Sequence, residues 1–334
     1  MTEYPQMNEL LAAIRKACRI ILFSHISPDG DTLGSALALQ IVMERIGKQT
    51  FLILDGTIPS ALSFLPNCDR IQSPQGAAGL LTAIESSDLA IAVDVGSLSR
   101  LGEAELLFCS FSNTAQLDHH ETNPRFAKIN LVDQNAPATA VLVFRVLEEL
   151  GLSLTEAEAI CLYTAISTDT GNFIFHNTNE EAFELMSRLM KAGLPLARYG
   201  RLLFKEKKRI FMDLLGKALR TMVFLHDGDI AGMRITLEDM RSAGASNEHT
   251  NGMVDYIINI VGVKMAYFAH ETEDGGVKFN LRALTPYRVQ EVAAFFDGGG
   301  HALAAGCTVY LPLTEAEKKI QILLVNALGG KLVE

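Results

Sequence analysis

Short apolar runs set the rhythm of the first half of the chain. "RIILFSH" (19–25) reads as a buried strand, and four similar stretches follow: "KQTFLILDG" (48–56), "DLAIAVDVGS" (88–97), "TAQLDHH" (114–120) and "KINLVDQ" (128–134). Between and after them the apolar positions shift to helical spacing, in "DTLGSALALQIVMERIG" (31–47), "ATAVLVFRVLEELG" (138–151) and "TEAEAICLYTAISTDTG" (155–171). Apolar strands alternating with helices predict an α/β fold, with a mostly parallel sheet flanked by helices.

The pattern changes near residue 190. From about 180 to 222 it is helical, in "NEEAFELMSRLMKAG" and "LARYGRLLFKEKKRIFMDLLGKALRTM". Strands return in two hairpin-like stretches, "MVFLHDGDIAGMRI" and "VKMAYFAHETEDGGVKFNLRAL", with Gly228 and Gly275–Gly276 as turn signals. The expected organisation is a first domain over 1–190, a helical connector over 191–218, and a smaller α/β domain with a mixed sheet over 219–334. A length of 334 residues agrees with two domains.

Composition narrows the classes. Apolar residues make up 49%, enough for a normal core. No apolar run approaches the ~18 residues of a membrane span, so no membrane partner is expected. The start, "MTEYPQMNELLAAIRKAC", is mixed and amphipathic, unlike a signal peptide. Cysteines 18, 68, 109, 161 and 307 are scattered without a CxxC and read as buried thiols of a cytoplasmic protein. The formal net charge of −10 disfavours long nucleic acid but leaves room for a short anion in a local pocket. The basic run Lys205–Arg209 reads as a solvated helix face.

Ligands of such sheets bind beyond the carboxyl ends of the strands. His25, Asp29, Asp31, Asp94 and the pair His119–His120 all follow an expected strand end, so they should line one crevice. "AISTDTGNF" adds Asp169. Each is ordinary alone, since strands often end in Asp and a lone His is usually packed or exposed. Together, carboxylates 29, 31, 94 and 169 would repel one another without partners. Two divalent cations would balance them. Oxygen-rich ligation with a few imidazoles suits Mn²⁺ first, with Mg²⁺ or Fe²⁺ fitting less well. Two such ions roughly 3.5–4 Å apart can activate a water and clamp a phosphoryl group. Far along the chain, "DGGGHALAAG" (297–306) lies between an expected helix, "YRVQEVAAFF", and an expected strand, "CTVYLPL". Its three glycines, Gly298, Gly299 and Gly300, can present backbone N–H groups as an anion-binding nest.

These stretches resemble the DHH phosphoesterase superfamily. The resemblance runs in order through "HISPDGDTLGS", "VDVGS", "LDHHETN", "INLVDQNAPATA" and "TAISTDTGNF", and ends with "FFDGGGHALAAG", which is similar to the glycine-rich signature of the DHH-associated domain. Within the superfamily the compact two-domain form looks most like the NrnA type. It implies one metal on His25, Asp29 and Asp94, and a second on Asp31, Asp94, His119 and Asp169, with Asp94 bridging. It implies that His120 polarises the scissile phosphate or donates a proton, that Asp118 orients a histidine, and that Arg282 and His301 hold a substrate phosphate. Asn280 and Ala283 flank Arg282 where relatives usually have serines, and Ile174 stands where many have arginine.

The implied activity is hydrolysis of short oligoribonucleotides or 3′-phosphoadenosine 5′-phosphate by metal-activated water, in a cleft closed between two domains. A cyclic-di-AMP or linear dinucleotide phosphodiesterase shares every motif. A nucleotide sensor without turnover would be expected to lack a ligand, and none is missing. The resemblance is compatible with a homodimer.

Overall fold

The computed structural model describes residues 5–80, 85 and 88–329. By contacts it divides into two compact units, Met1–Glu206 and Lys207–Glu334. The first begins with α1 (Pro5–Lys16), β1 (Arg19–Ser24), α2 (Gly30–Arg45) and β2 (Gln49–Leu54). It continues through α3 (Pro74–Leu80), β3 (Leu89–Val93), α4 (Glu105–Cys109), β4 (Asn113–Asp118) and β5 (Ile129–Val132). Four helices close it: α5 (Thr139–Glu149), α6 (Glu156–Asp169), α7 (Glu180–Lys191) and α8 (Leu196–Phe204). Residues 1–4 of the amphipathic N-terminal stretch lie outside the described residues.

All five strands are parallel, in the order β2-β1-β3-β4-β5. The fully apolar strands are buried on both faces. Leu22, Leu52, Ile91 and Leu117 join the core under α2, α5 and α6, while Ile21, Phe23, Ala90 and Ala92 pack on the other side against Phe108 and Phe111. The expected parallel α/β sheet is therefore present, strand for strand.

The second unit holds α9 (Arg209–Arg220), β6 (Val223–Leu225), β7 (Ile230–Ile235), α10 (Leu237–Ser242), α11 (Asp255–Ile258), β8 (Met265–Glu271) and β9 (Val277–Ala283). It ends with α12 (Gln290–Ala294), β10 (Gly299–His301), β11 (Ala304–Val309) and α13 (Leu313–Leu328). Its sheet is mixed, ordered β10-β11-β9-β8-β7-β6, with only the β7–β8 pair parallel. The two expected hairpins are β6–β7 and β8–β9. The helical stretch 190–218 is split by its apolar faces. Tyr199 of α8 joins the first unit's core, whereas Phe211, Leu214, Leu215 and Ala218 of α9 pack with β7 and β8 of the second.

Two local expectations change. The glycine run does not stay a loop: Gly299–His301 pairs antiparallel with Ala304–Gly306 as an edge strand, because residues without side chains let the backbone lie close to β11. A Cβ on Gly300 would stand 2.5 Å from the Ala304 carbonyl oxygen. All five cysteines are free thiols, but Cys18 and Cys109 are exposed rather than buried. Each closes a surface helix or turn, where the apolar pattern says little about the last residue.

Candidate functional site

Register levels the strand ends of the first sheet. Phe23 pairs with Ala92 and Val93 with Leu117, so His25, Asp94 and Asp118 stand in one row. β1 and β3 are the strands at which the chain order reverses, so this row straddles the sheet's switch point. Asp94 leaves β3 with φ 60°, a left-handed conformation that Asp tolerates better than most residues. Its two oxygens face different imidazoles: Oδ2 is 3.7 Å from His25 Nε2, and Oδ1 is 3.8 Å from His119 Nε2.

The carboxylates of α2 are held by the start of the helix. Asp29 is the N-cap and accepts from the Thr32 N–H at 3.0 Å. Asp31, in the first turn and buried, accepts from Ser35 Oγ at 2.7 Å and from the Thr139 and Ala140 N–H groups of α5 at 2.7 and 3.2 Å. Asp169 arrives through helix packing. A Cβ on Gly30 would lie 2.2 Å from Thr168 Oγ1, and one on Gly34 2.4 Å from the Cys161 carbonyl oxygen. These glycines, one turn apart, let α6 approach α2 and bring Asp169 beside Asp31.

Three donor groups converge: His25, Asp29 and Asp94; Asp31, His119 and Asp169; and Asp94, His119 and His120, each with ligand atoms within 4.8 Å of one another. Burial, reinforced by Asp94 and Asp169, pushes Asp31 well above the usual carboxylate range. Burial also pushes Asp169 up to about 6, with His119 opposing and Asp94 and Asp29 adding to the rise. Burial alone would lower His119, but Asp94, Asp169 and Asp118 outweigh it and raise it. Such repulsion between close carboxylates is the situation divalent cations relieve. The donors are oxygens and imidazoles without a thiolate, a set that fits Mn²⁺ or Mg²⁺ better than a structural zinc.

Orientation comes from neighbours. The guanidinium of Arg100 and the carbonyl of Ile26 both lie near His25 Nδ1, at 2.9 and 2.6 Å. A guanidinium only donates, so Nδ1 can serve just one of them. With Nδ1–H on the closer carbonyl, Nε2 keeps its lone pair for a cation that Asp94 would share. His120 Nδ1 lies 2.8 Å from Asp118 Oδ1, a bond that raises His120 against its burial. Burial would raise Asp118 in turn, yet the bonds from His120 and Asn123 hold it low. The Asp118 bond commits Nδ1 and so fixes the attitude of the His120 ring. Gly96 makes room for this ring, since a Cβ there would stand 3.1 Å from it.

Four residues escaped the sequence reading. Thr32 Oγ1 lies 2.5 Å from His25 Nε2, 3.0 Å from Asp29 Oδ1 and 2.7 Å from Asp94 Oδ2. Thr139 Oγ1 donates to Asp94 Oδ1 at 2.9 Å. Asn123 Nδ2 donates to Asp118 Oδ2 at 2.5 Å, and Asn177 Nδ2 to Asp169 Oδ2 at 3.2 Å. Thr32, Asn123 and Thr139 all lie inside the quoted motifs, which was the available signal. Their residue types are too common to stand out alone.

In the second unit, register places Arg282, Ala304 and His301 in one row across β9, β11 and β10, with Asn280, Gly306 and Gly299 in the next row on that face. The alternating residues Leu281, Ala305 and Cys307 face the core. Small residues thus separate Arg282 from His301 and leave a shallow floor between them. Arg282 is steadied by Asp255 Oδ1, 3.0 Å from its Nε. Gly298 packs tightly, its Cβ position 2.3 Å from the Gly306 carbonyl oxygen.

A parallel sheet with acids and imidazoles at its switch point, followed by a mixed-sheet unit with a glycine edge strand, defines the class: the chain belongs to the DHH family. Residues 19–166 match the model of the DHH family N-terminal domain, and residues 230–326 that of the DHHA1 domain. Among particular proteins, it is 31% identical to the bifunctional oligoribonuclease and PAP phosphatase NrnA of Thermus thermophilus, over 95% of this chain and 93% of that one. It is 24% identical to the protein of that name from Bacillus subtilis, over 91% and 93%. The structure of an exopolyphosphatase-related protein from Bacteroides fragilis is similar over 96% of both chains, with a TM-score of 0.90 and 25% identity. Among the described residues no helix is long and apolar enough to cross a membrane.

Proposed function

We propose that this protein is a divalent-metal-dependent phosphoesterase that hydrolyses short nucleotides, namely oligoribonucleotides of a few residues and 3′-phosphoadenosine 5′-phosphate. The observation that carries the reading is Asp94, with one oxygen toward His25 and the other toward His119, two imidazoles that belong to separate acidic trios. The names of its NrnA relatives supply the substrate class. His25, Asp29 and Asp94 would hold one ion, and Asp31, Asp94, His119 and Asp169 the other. Two bound Mn²⁺ or Mg²⁺ ions would supply Lewis acidity and a water of lowered pKa.

The chain's own groups do the rest. Thr32, Thr139, Ser35 and the first N–H groups of α5 fix the carboxylates, so little reorganisation is needed when charge develops. His120, raised and held by Asp118, delivers a proton or a positive charge to the phosphate. Arg282 and His301 take the substrate's far phosphate, for which a guanidinium offers paired donors.

A hydrolysis panel tests this: 3′-phosphoadenosine 5′-phosphate, RNA of two to five nucleotides, cyclic-di-AMP and pyrophosphate, each with Mn²⁺, with Mg²⁺ and with chelator. Metal-dependent turnover of the first two is expected. Turnover of pyrophosphate alone, or full activity in chelator, would overturn the reading.

A further inference from the structure

The loop after Asp169 offers an exposed aromatic face that no motif accounts for. Ile174 and Phe175 are 80% and 56% exposed, between the similarly exposed Asn172 and His176. The loop is nevertheless firmly built. The Asn172 N–H donates to the Ser167 carbonyl at 2.6 Å, the Phe173 N–H to Thr170 Oγ1 at 3.1 Å, and the Ile174 and Phe175 N–H groups both to the Thr170 carbonyl at 3.0 Å. Phe173 turns inward, its ring centroid 5.6 Å from that of Phe183. Gly171, Asn172 and Phe173 are consecutive left-handed residues, and this tight reversal places Phe175 back over Gly171.

The ring's attitude follows from distances. A Cβ on Gly171 would stand 2.5, 2.5 and 2.6 Å from Cε1, Cζ and Cε2 of Phe175. Near-equal distances to three successive ring carbons put Gly171 beneath the face of the ring, not at its edge. One face is covered by glycine backbone and the opposite face is open. Gly171 is two residues past Asp169, so their Cα atoms are at most about 7.6 Å apart. The ring therefore stands on the loop that directly follows Asp169, with its exposed face turned away from Gly171. Residues 171–178 contain no lysine or arginine, so the loop offers a phosphate little and an apolar ring much.

We propose that Phe175, with Ile174 at its side, is a stacking platform for the nucleobase attached one ribose away from the scissile phosphate. The proposal rests on the nucleotide reading above and adds to it a specificity determinant in the first unit. A base has two apolar faces and stacks on an aromatic ring without regard to its identity. A ring already fixed by its loop loses little freedom when a base settles on it.

The test compares wild type, Phe175→Ala and Phe175→Trp at saturating metal. The substrates are a diadenosine ribonucleotide and its two singly abasic counterparts. Phe175→Ala should raise KM for the dinucleotide roughly 5- to 150-fold, the span of base–aromatic stacking by alanine substitution. It should leave one abasic counterpart unaffected, and Phe175→Trp should retain wild-type KM. A phosphorothioate-linked 2-aminopurine dinucleotide, quenched on stacking, should lose its quenching with Phe175→Ala. Equal losses on all three substrates, or no quenching by wild type, would overturn the platform. So would a change of oligomeric state on sedimentation of Phe175→Ala, which would make the patch a contact between copies. If wild type hydrolyses no dinucleotide, the proposed function fails, and the quenching still decides whether a base stacks there.

Discussion

The two candidate regions are built on opposite plans. At the switch point of the first sheet, the buried acids are fixed from different elements: Asp31 takes bonds from Ser35, Thr139 and Ala140, and Asp94 from Thr32 and Thr139. On the open face of the second sheet, Arg282 is steadied by one carboxylate and its own strand, and His301 sits on an exposed edge strand. The first plan suits groups that must keep like charges within a few ångströms. The second suits groups that meet a flexible ligand and can adapt to it. Substitutions in the first region should therefore be costly for every substrate, and those in the second selective.

The largest expected effect is that of Asp94→Ala. It removes the carboxylate shared by the two proposed metal sites, so bound metal, read by elemental analysis, should fall with activity by at least about 10³-fold. Retention of both ions would break the bridging assignment. His120→Ala should keep metal while kcat falls roughly 10²–10⁴-fold, the usual contribution of a proton-transfer group. Metal lost in step with activity would make His120 a ligand.

Arg282→Ala sharpens the contrast. A charged hydrogen bond to phosphate is worth about 1.5–3 kcal/mol, or roughly 10- to 150-fold in kcat/KM. A bisphosphate or dinucleotide should lose that much, and a small chromogenic phosphodiester almost nothing. Equal losses would mean that the arginine supports the fold. Asn123→Ala, which frees one oxygen of Asp118, should cost about 10–100-fold in kcat on every substrate, as groups that orient active residues do. A loss confined to long substrates would move Asn123 out of the first plan.

The smallest effect is on stability. Asp169, pushed up to about 6, and His119 and His120, both raised, bind protons more tightly folded than unfolded. Asp169's contribution is present below about pH 4 and is lost as pH rises toward 6, and those of the histidines are lost above 6.5. The thermal midpoint of chelated protein should therefore fall between pH 5 and 8, and saturating Mn²⁺ should abolish the trend. A midpoint rising with pH in chelator would show that the cluster does not carry this repulsion.

Much of this was legible in the chain. Apolar runs ending in His25, Asp94 and Asp118 gave the strands and their chemical ends together, because a strand buried on both faces leaves little polar except at its end. The supports were not legible. Thr32 and Thr139 act through single hydroxyls, and nothing in a lone threonine tells a packed side chain from one that holds a carboxylate. The pairing of Gly299–His301 was hidden because glycine carries no strand signal; its partner β11 made the strand. The role of Gly30 and Gly34 as the floor for α6 depends on a helix more than 120 residues later, a distance that no local pattern spans.

The left-handed turn at Asp94 also shapes how this chain can change. Few residues accept φ near 60°, and asparagine is among them. Asparagine codons differ from those of aspartate by one transition in the first base. One of the most accessible lesions at this position therefore spares the backbone and deletes only the charge. A gene copy drifting along that route would keep a folded product with its second unit intact, poised to become a protein that holds nucleotides without cutting them.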